Sequence, residues 1–228
     1  MLKESNKISK ALLVIIFYLV CYSYPDIVAS ALGIDLASMD LISKTTFLIA
    51  YEMFILLIII YVYRNELIPM FKDFIHNIKS YFSKYFKYWI LMLLLMLSSN
   101  ILISFFTTSD VATNQEIIES TLKKAPVYIL ISTIIVAPLL EELIFRFCIK
   151  YIVPKPKILY ILISGIFFGS MHVVFSMQNI TDLLFIIPYS IPGIIFAYLY
   201  NKTNNIFIPI GIHFMHNSVL MILQFILG

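Results

Sequence analysis

The chain is expected to fold as an all-α, polytopic transmembrane bundle, with about seven spans and one amphipathic helix lying in the membrane interface. Three observations predict this. Hydrophobic residues make up 61% of the 228 positions and charged residues 13%, where a soluble domain carries about 25% charge. Mean hydropathy is +0.95. The charges gather between long apolar runs, as a bilayer requires. Helices are the spans that satisfy their own backbone in a medium without water. The length suits one integrated bundle, divided into N-terminal membrane spans with the interfacial helix over 1–125 and a second group of spans over 126–228.

Span 1 is predicted over Ala11–Leu32, behind a tail in which Lys3, Lys7 and Lys10 outweigh Glu4. It exceeds a signal-peptide core and lacks a small-residue cleavage site, so it reads as retained. Span 2 covers Thr45–Tyr63, with Glu52 near its middle, where an interhelical hydrogen bond is the expected role. From Arg64 to Lys87, and most clearly over about 70–87, Phe71, Phe74, Ile75, Ile78, Phe82, Tyr85 and Phe86 recur at helical spacing. Lys72, Asp73, His76, Lys79 and Lys84 fill the other side, the pattern of a helix attracted to anionic lipid. Span 3 covers Tyr88–Phe106, followed by a polar segment from Thr107 to Ala125 with Asp110, Glu116 and Glu119.

Span 4 covers Pro126–Val153, and Pro154 and Pro156 mark the turn beyond it. Span 5 covers Ile158–Met177, span 6 Leu183–Tyr200 and span 7 Ile206–Leu227. Pro188, Pro192 and Gly193 should interrupt span 6 and loosen the bundle. Cys21 and Cys148 lie on separate spans and read as small buried hydrophobes. Lys and Arg crowd the tail, the span 2–3 loop and the span 4–5 loop, which puts the N-terminus in the cytoplasm and the C-terminus outside. They form no nucleic-acid stripe, and lipid is the expected partner.

Polar residues inside the spans carry the functional signal. Span 4 contains Glu141, Glu142 and Arg146 in Ala137-Pro138-Leu139-Leu140-Glu141-Glu142-Leu143-Ile144-Phe145-Arg146. A charge at that depth costs several kcal/mol and needs a partner or a task. Glu142 and Arg146 are four residues apart and can pair, while Glu141 lies about 100° around the helix and stays available. Pro138 removes one backbone donor just before them. Span 5 contributes His172 behind Phe168, Gly169 and Ser170, two small residues that admit a neighbouring backbone. Span 7 contributes His213 and Asn217 on one face, with His216 as a packing residue.

A carboxylate in an apolar site is a stronger base than in water, and with a histidine it can deprotonate a water molecule. A second imidazole and an amide can receive the oxyanion of a tetrahedral intermediate. The set suits amide hydrolysis by activated water. Glu141, His172 and His213 with a water would equally complete a catalytic zinc site, although the HExxH spacing is absent. Two other readings use the same residues. A buried polar network can serve only to specify packing in a non-catalytic membrane partner. Glu52 and a broken span 6 would suit a transporter, against which stands the absence of inverted repeats.

The three pieces EExxxR (Glu141, Glu142, Arg146), FxxxH (Phe168, His172) and HxxxN (His213, Asn217) resemble the motifs of the CPBP intramembrane protease family, which includes CAAX-prenyl endopeptidases and bacterial Abi proteins, some linked to bacteriocin immunity. The resemblance covers about Pro126 to Leu227. It implies an intramembrane endopeptidase in which Glu141 and His172 activate water and His213 and Asn217 hold the oxyanion. Glu142, Arg146 and Phe168 would shape the site. It leaves open whether a divalent metal takes part, held by Glu141, His172 and His213 if so. Its alternative is an immunity or regulatory partner without catalysis.

Overall fold

The computed structural model describes residues 2–107 and 112–227, leaving the side chains of residues 2–5, 23 and 227 undescribed. Asp110 lies outside the described residues, and Lys3 and Glu4 outside the described side chains. Among the described residues the chain is all helix: α1 (Leu2–Ser23), α2 (Pro25–Ala31), α3 (Leu41–Val62), α4 (Arg64–Ser104), α5 (Thr113–Lys124), α6 (Pro126–Ile152), α7 (Lys157–Val173), α8 (Ile180–Thr203) and α9 (Phe207–Leu227). Helices α3, α4, α6, α8 and α9 are long and apolar enough to cross a membrane. The α1–α2 pair makes a sixth if its 83° bend is counted within one span, and α7, at 17 residues, is shorter. The predicted seven spans thus correspond to five full helices, one bent pair and one short helix. The bend falls before Pro25, which opens α2 without an N–H to donate.

Local chemistry sets several boundaries. The Asp40 carboxylate accepts the backbone N–H groups of Ile42 and Ser43, both at 3.0 Å, and so caps α3. Pro126 opens α6. Asp182 accepts from the backbone of Gln178 and Asn179 at 2.8 and 3.0 Å, closing a capping box at the start of α8. Asn204, at φ 53°, ends α8 in the left-handed conformation. The next residue, Asn205, accepts the N–H of Phe207 and donates to Met70 O and Asp73 Oδ2, fixing the α8–α9 turn to α4.

Two expectations are corrected. The amphipathic stretch 70–87 is not a separate helix but the first part of α4, which runs unbroken into span 3 for 41 residues. Neither glycine nor proline occurs from Met70 to Ser104, so nothing interrupts the hydrogen-bond ladder. At about 1.5 Å per residue the rod is about twice as long as the hydrocarbon layer is thick. His76 is exposed on it, as expected, and Phe74 is buried beside Phe207.

Nor do the prolines interrupt span 6. Ile186–Thr203 is a continuous α-helix in which Pro188 and Pro192 are buried. Pro188 stands in the first turn, where an N–H has no helical acceptor. Gly193 does not loosen the helix but permits its closest contact. A Cβ on Gly193 would lie 2.7 Å from Gly165 O, and one on Gly165 would lie 2.8 Å from Ile194 N. Gly169 likewise faces the Ile186 carbonyl. Three small positions thus let α7 and α8 pack backbone to backbone, the contact by which small residues join helices in lipid.

The main core joins Tyr18 of α1, Ile55 and Ile59 of α3, Leu140 and Phe145 of α6, Phe168 of α7 and Ala197 of α8. A second cluster packs Phe74, Trp89 and Met92 of α4 against Phe196 of α8 and Ile212 of α9. On the outside, Leu91, Leu94, Leu97, Ile101 and Leu102 of α4 are exposed, an apolar surface suited to acyl chains. Cys21 is half-buried and Cys148 buried, and both are free thiols.

One end of the bundle collects the basic residues. Lys10 lies 3.7 Å from Glu66 and over the ring of Tyr63, Lys150 donates to Asn204 at 2.9 Å, and Lys202 donates to Tyr88 at 3.0 Å. Gly165→Ala should lower stability by about 1–3 kcal/mol, because the added methyl group meets backbone that cannot move aside. Thermal unfolding of wild type and variant in one detergent checks this.

Candidate active site within the bundle

The site is built on an irregular stretch of α6. Two segments, Ser132–Val136 and Glu142–Cys148, wind as wider π-helical turns. Ala137 bonds back to Ser132 O, five residues earlier. The next donor in that register would be residue 138, which is proline, so the Thr133 carbonyl loses its helical partner. Asn217 of α9 replaces it, donating from Nδ2 to Thr133 O at 2.8 Å. The sequence places Pro138 as a kink; the structure resolves it as a π turn mended from a neighbouring helix.

Glu142 and Arg146 are both fully buried, with Nη1 3.1 Å from Oε1. This is an ion pair more than a set of aligned hydrogen bonds, since Nε and Nη2 find no hydrogen-bond partner among the described residues. The guanidinium instead lies over the Phe168 ring at 4.1 Å and near Phe196 at 5.4 Å. Glu142 Oε1 also takes a hydrogen bond from Nδ1 of His213, at 2.9 Å. Around this unit, Tyr160 and Ser164 of α7 donate to the carbonyls of Arg146 and Phe145.

Glu141 points elsewhere. Its side chain is 13% exposed, against 0% for Glu142, and it faces both imidazoles. Oε1 lies 3.8 Å from Nε2 of His172, and Oε2 lies 3.6 Å from Nε2 of His213. His172 bonds through Nδ1 to the Phe168 carbonyl at 3.0 Å, which directs Nε2 toward the carboxylate. The Phe168 ring lies 4.4 Å from His172 and edge-on to His213 at 6.1 Å. All seven residues singled out in the motifs therefore meet in one place, including His172, although its distance along span 5 suggests a different depth.

Glu141, His172, His213 and Asn217 line a cavity of about 1200 Å³ that extends past Glu52 and Tyr128 on one side and Asn114 and Gln115 on another. His216 also lines it and is buried, with Nδ1 unpartnered among the described residues. Glu52 accepts from Tyr128 at 2.9 Å, the interhelical bond expected of it. Two aromatic positions escaped the sequence reading: Phe196 stacks on His213 at 4.9 Å and Tyr189 stacks on His172 at 4.9 Å. Both lie on α8, and the only sequence signal for them is aromatic residues in a span rich in small ones.

Among the described residues, no three His, Cys, Asp or Glu side chains are disposed to hold a metal ion. Each oxygen of Glu141 has one imidazole for a neighbour.

Residues 123–219 match the family described as type II CAAX prenyl endopeptidase Rce1-like. Over that segment the chain is similar to this family. Every motif residue, from Glu141 to Asn217, falls inside the Rce1-like segment, and Glu52 falls outside it. Over 113 residues the chain is 34% identical to a protein of Bacillus subtilis (strain 168) named "Putative membrane peptidase YdiL". The alignment takes in 49% of this chain and 43% of that protein, so the chain spans less than half of its relative's length. No solved structure matches.

Removing one member of the buried pair should cost far more than removing both. Arg146→Met leaves Glu142 buried without its cation and held only by His213, an expected loss of about 3–5 kcal/mol, and adding Glu142→Gln should recover much of it. Thermal melts of the two single variants and the double variant, in one detergent, complete the cycle.

Proposed function

We propose that the chain is a membrane endopeptidase that hydrolyses a peptide bond of a membrane-associated peptide or protein by the action of Glu141 on water. The observation that carries this reading is the single carboxylate set between two imidazoles, on the wall of a cavity large enough for a peptide segment. The Rce1-like match and the peptidase named among its relatives support the same reaction class.

In this mechanism a water molecule sits between Glu141 and Nε2 of His172. Glu141 takes one of its protons as the oxygen attacks the scissile carbonyl. Asn217 and His213, the latter carrying a proton on Nε2 as well as on Nδ1, receive the oxyanion; Asn217 keeps one amide hydrogen on Thr133 and has the second to give. The proton held by Glu141 then passes to the leaving nitrogen as the C–N bond breaks. Glu142 holds the ring of His213 through Nδ1, and Arg146 neutralises Glu142. Phe168, which lines the cavity, and Phe196, buried behind it, cover the guanidinium and keep its attraction to Glu142 strong.

Residues 126–228 act here as the catalytic core, and 1–125 supply the spans that close the cavity around Tyr18, Tyr22 and Glu52. The basic end of the bundle faces the cytoplasm with the N-terminus, and the C-terminus lies outside. A cysteine placed at Lys155 should then react with an impermeant maleimide only after the cells are opened; labelling of intact cells would reverse the orientation.

Glu141→Gln keeps the shape and removes the base. It should abolish cleavage, by at least about a thousandfold, while thermal stability stays within about 1 kcal/mol of wild type. The measurement is mass spectrometry of products from membrane-proximal peptides incubated with the reconstituted protein. Cleavage that survives the substitution would refute the assignment.

A further inference from the structure

The cavity lining contains a second carboxylate that the hydrolytic steps do not use. Glu52, in the middle of α3, is 7% exposed. One of its oxygens accepts from Tyr128; the other, Oε2, is buried and has no hydrogen-bond partner among the described residues. It lines the same cavity as Glu141. Its neighbours in that lining are Tyr18, Tyr22, Tyr128 and Ser132. Tyr18 and Tyr22 stack at 4.9 Å, and Tyr18 also meets Phe145 edge-on, on the helix turn that carries Glu141.

A carboxylate at this depth whose neighbours are neutral hydroxyls lacks a countercharge. A group of aromatic rings beside a carboxylate is the chemistry that takes up an ammonium or guanidinium, through an ion pair and cation–π attraction together. We propose that Glu52, with the tyrosines around it, forms a specificity pocket for a basic side chain or free amine of the substrate, at a fixed offset from the bond presented to Glu141. This rests on the endopeptidase reading and extends it to a substrate class: apolar, membrane-inserted segments carrying one Lys or Arg near the cut. A cation buried in such a segment is costly in lipid and finds a counterion here.

The test uses the full chain in nanodiscs of zwitterionic phosphatidylcholine, so that lipid charge does not attract the peptides. The probes are apolar peptides of one length with a single Lys walked along them, each paired with its norleucine equivalent. The readout is the Lys-to-norleucine ratio of cleavage within each variant, in which a general loss of activity cancels. Wild type and Glu52→Asp should favour Lys at one offset. Glu52→Gln should reduce that ratio by about ten- to a hundredfold, the worth of one charged hydrogen-bonded contact. A wild type with no preferred offset, or a Glu52→Gln protein with the same ratio, overturns the proposal. A merely structural Glu52–Tyr128 bond would change stability and leave the ratio alone. A second arm needs no cleavage: immobilised Glu141→Gln protein should retain the Lys peptide at least about tenfold better than its norleucine pair, and Glu141→Gln with Glu52→Gln should not. Retention without cleavage by wild type would sink the endopeptidase reading and keep the pocket; equal retention by both variants would sink the pocket.

Discussion

A fully buried guanidinium is the constraint that the rest of the structure serves. Arg146 and Glu142 lie inside a membrane bundle with no exposed surface. An ion taken from water into such a place costs several kcal/mol, and its partner repays this only when the geometry is good and the surroundings finish the job. Four helices finish it here. Helix α6 supplies both charges, α7 the Phe168 ring, α8 the Phe196 ring, and α9 the His213 imidazole on the carboxylate. A bundle that failed to bring α7, α8 and α9 together would leave the charges stranded, so the pair makes correct assembly a condition of stability.

The same arrangement prepares Glu141. Because Glu142 is engaged by Arg146 and His213, the adjacent carboxylate is the one left to face the cavity. His213 joins the two halves of the site, with Nδ1 on the fully buried Glu142 and Nε2 toward Glu141. His172 completes the flank because its own helix carbonyl at Phe168 fixes the ring. That helix comes close enough only because Gly165, Gly169 and Gly193 remove the side chains that would separate α7 from α8. A backbone contact some distance from the chemistry thus sets the position of an imidazole.

Irregularity in α6 has a similar logic. A π turn, a proline and an orphaned carbonyl would each weaken a helix in lipid, where no water can repair them. Together they place Thr133 O where the Asn217 amide reaches it. The amide that repairs the backbone is thereby oriented over the cavity, a position a flexible side chain would otherwise hold at an entropic cost. Elsewhere in the lining Glu52 and its tyrosines give the cavity a polar region that belongs to the N-terminal helices, outside the Rce1-like segment.

Composition and short-range spacing carry a large part of this molecule. Apolar runs too long for any other structure dictate the all-helical membrane class, and a four-residue interval dictates the Glu142–Arg146 pair. The helical angle between neighbours sets Glu141 apart from that pair. Even the joint site is legible along the chain, because ionisable groups on three apolar spans have few places to go but toward each other. Long-range packing supplies the remainder. It governs whether residues 70–87 lie apart or continue into α4, whether Pro188 and Pro192 break α8 or sit within it, and which rings cover Arg146. Asn217 reaches Thr133 from 84 positions away, and Phe196 reaches His213 from a different helix. Spacing along a chain fixes which residues share a helix face. Which faces then meet depends on the fit of backbones and rings between helices, and that information is not local.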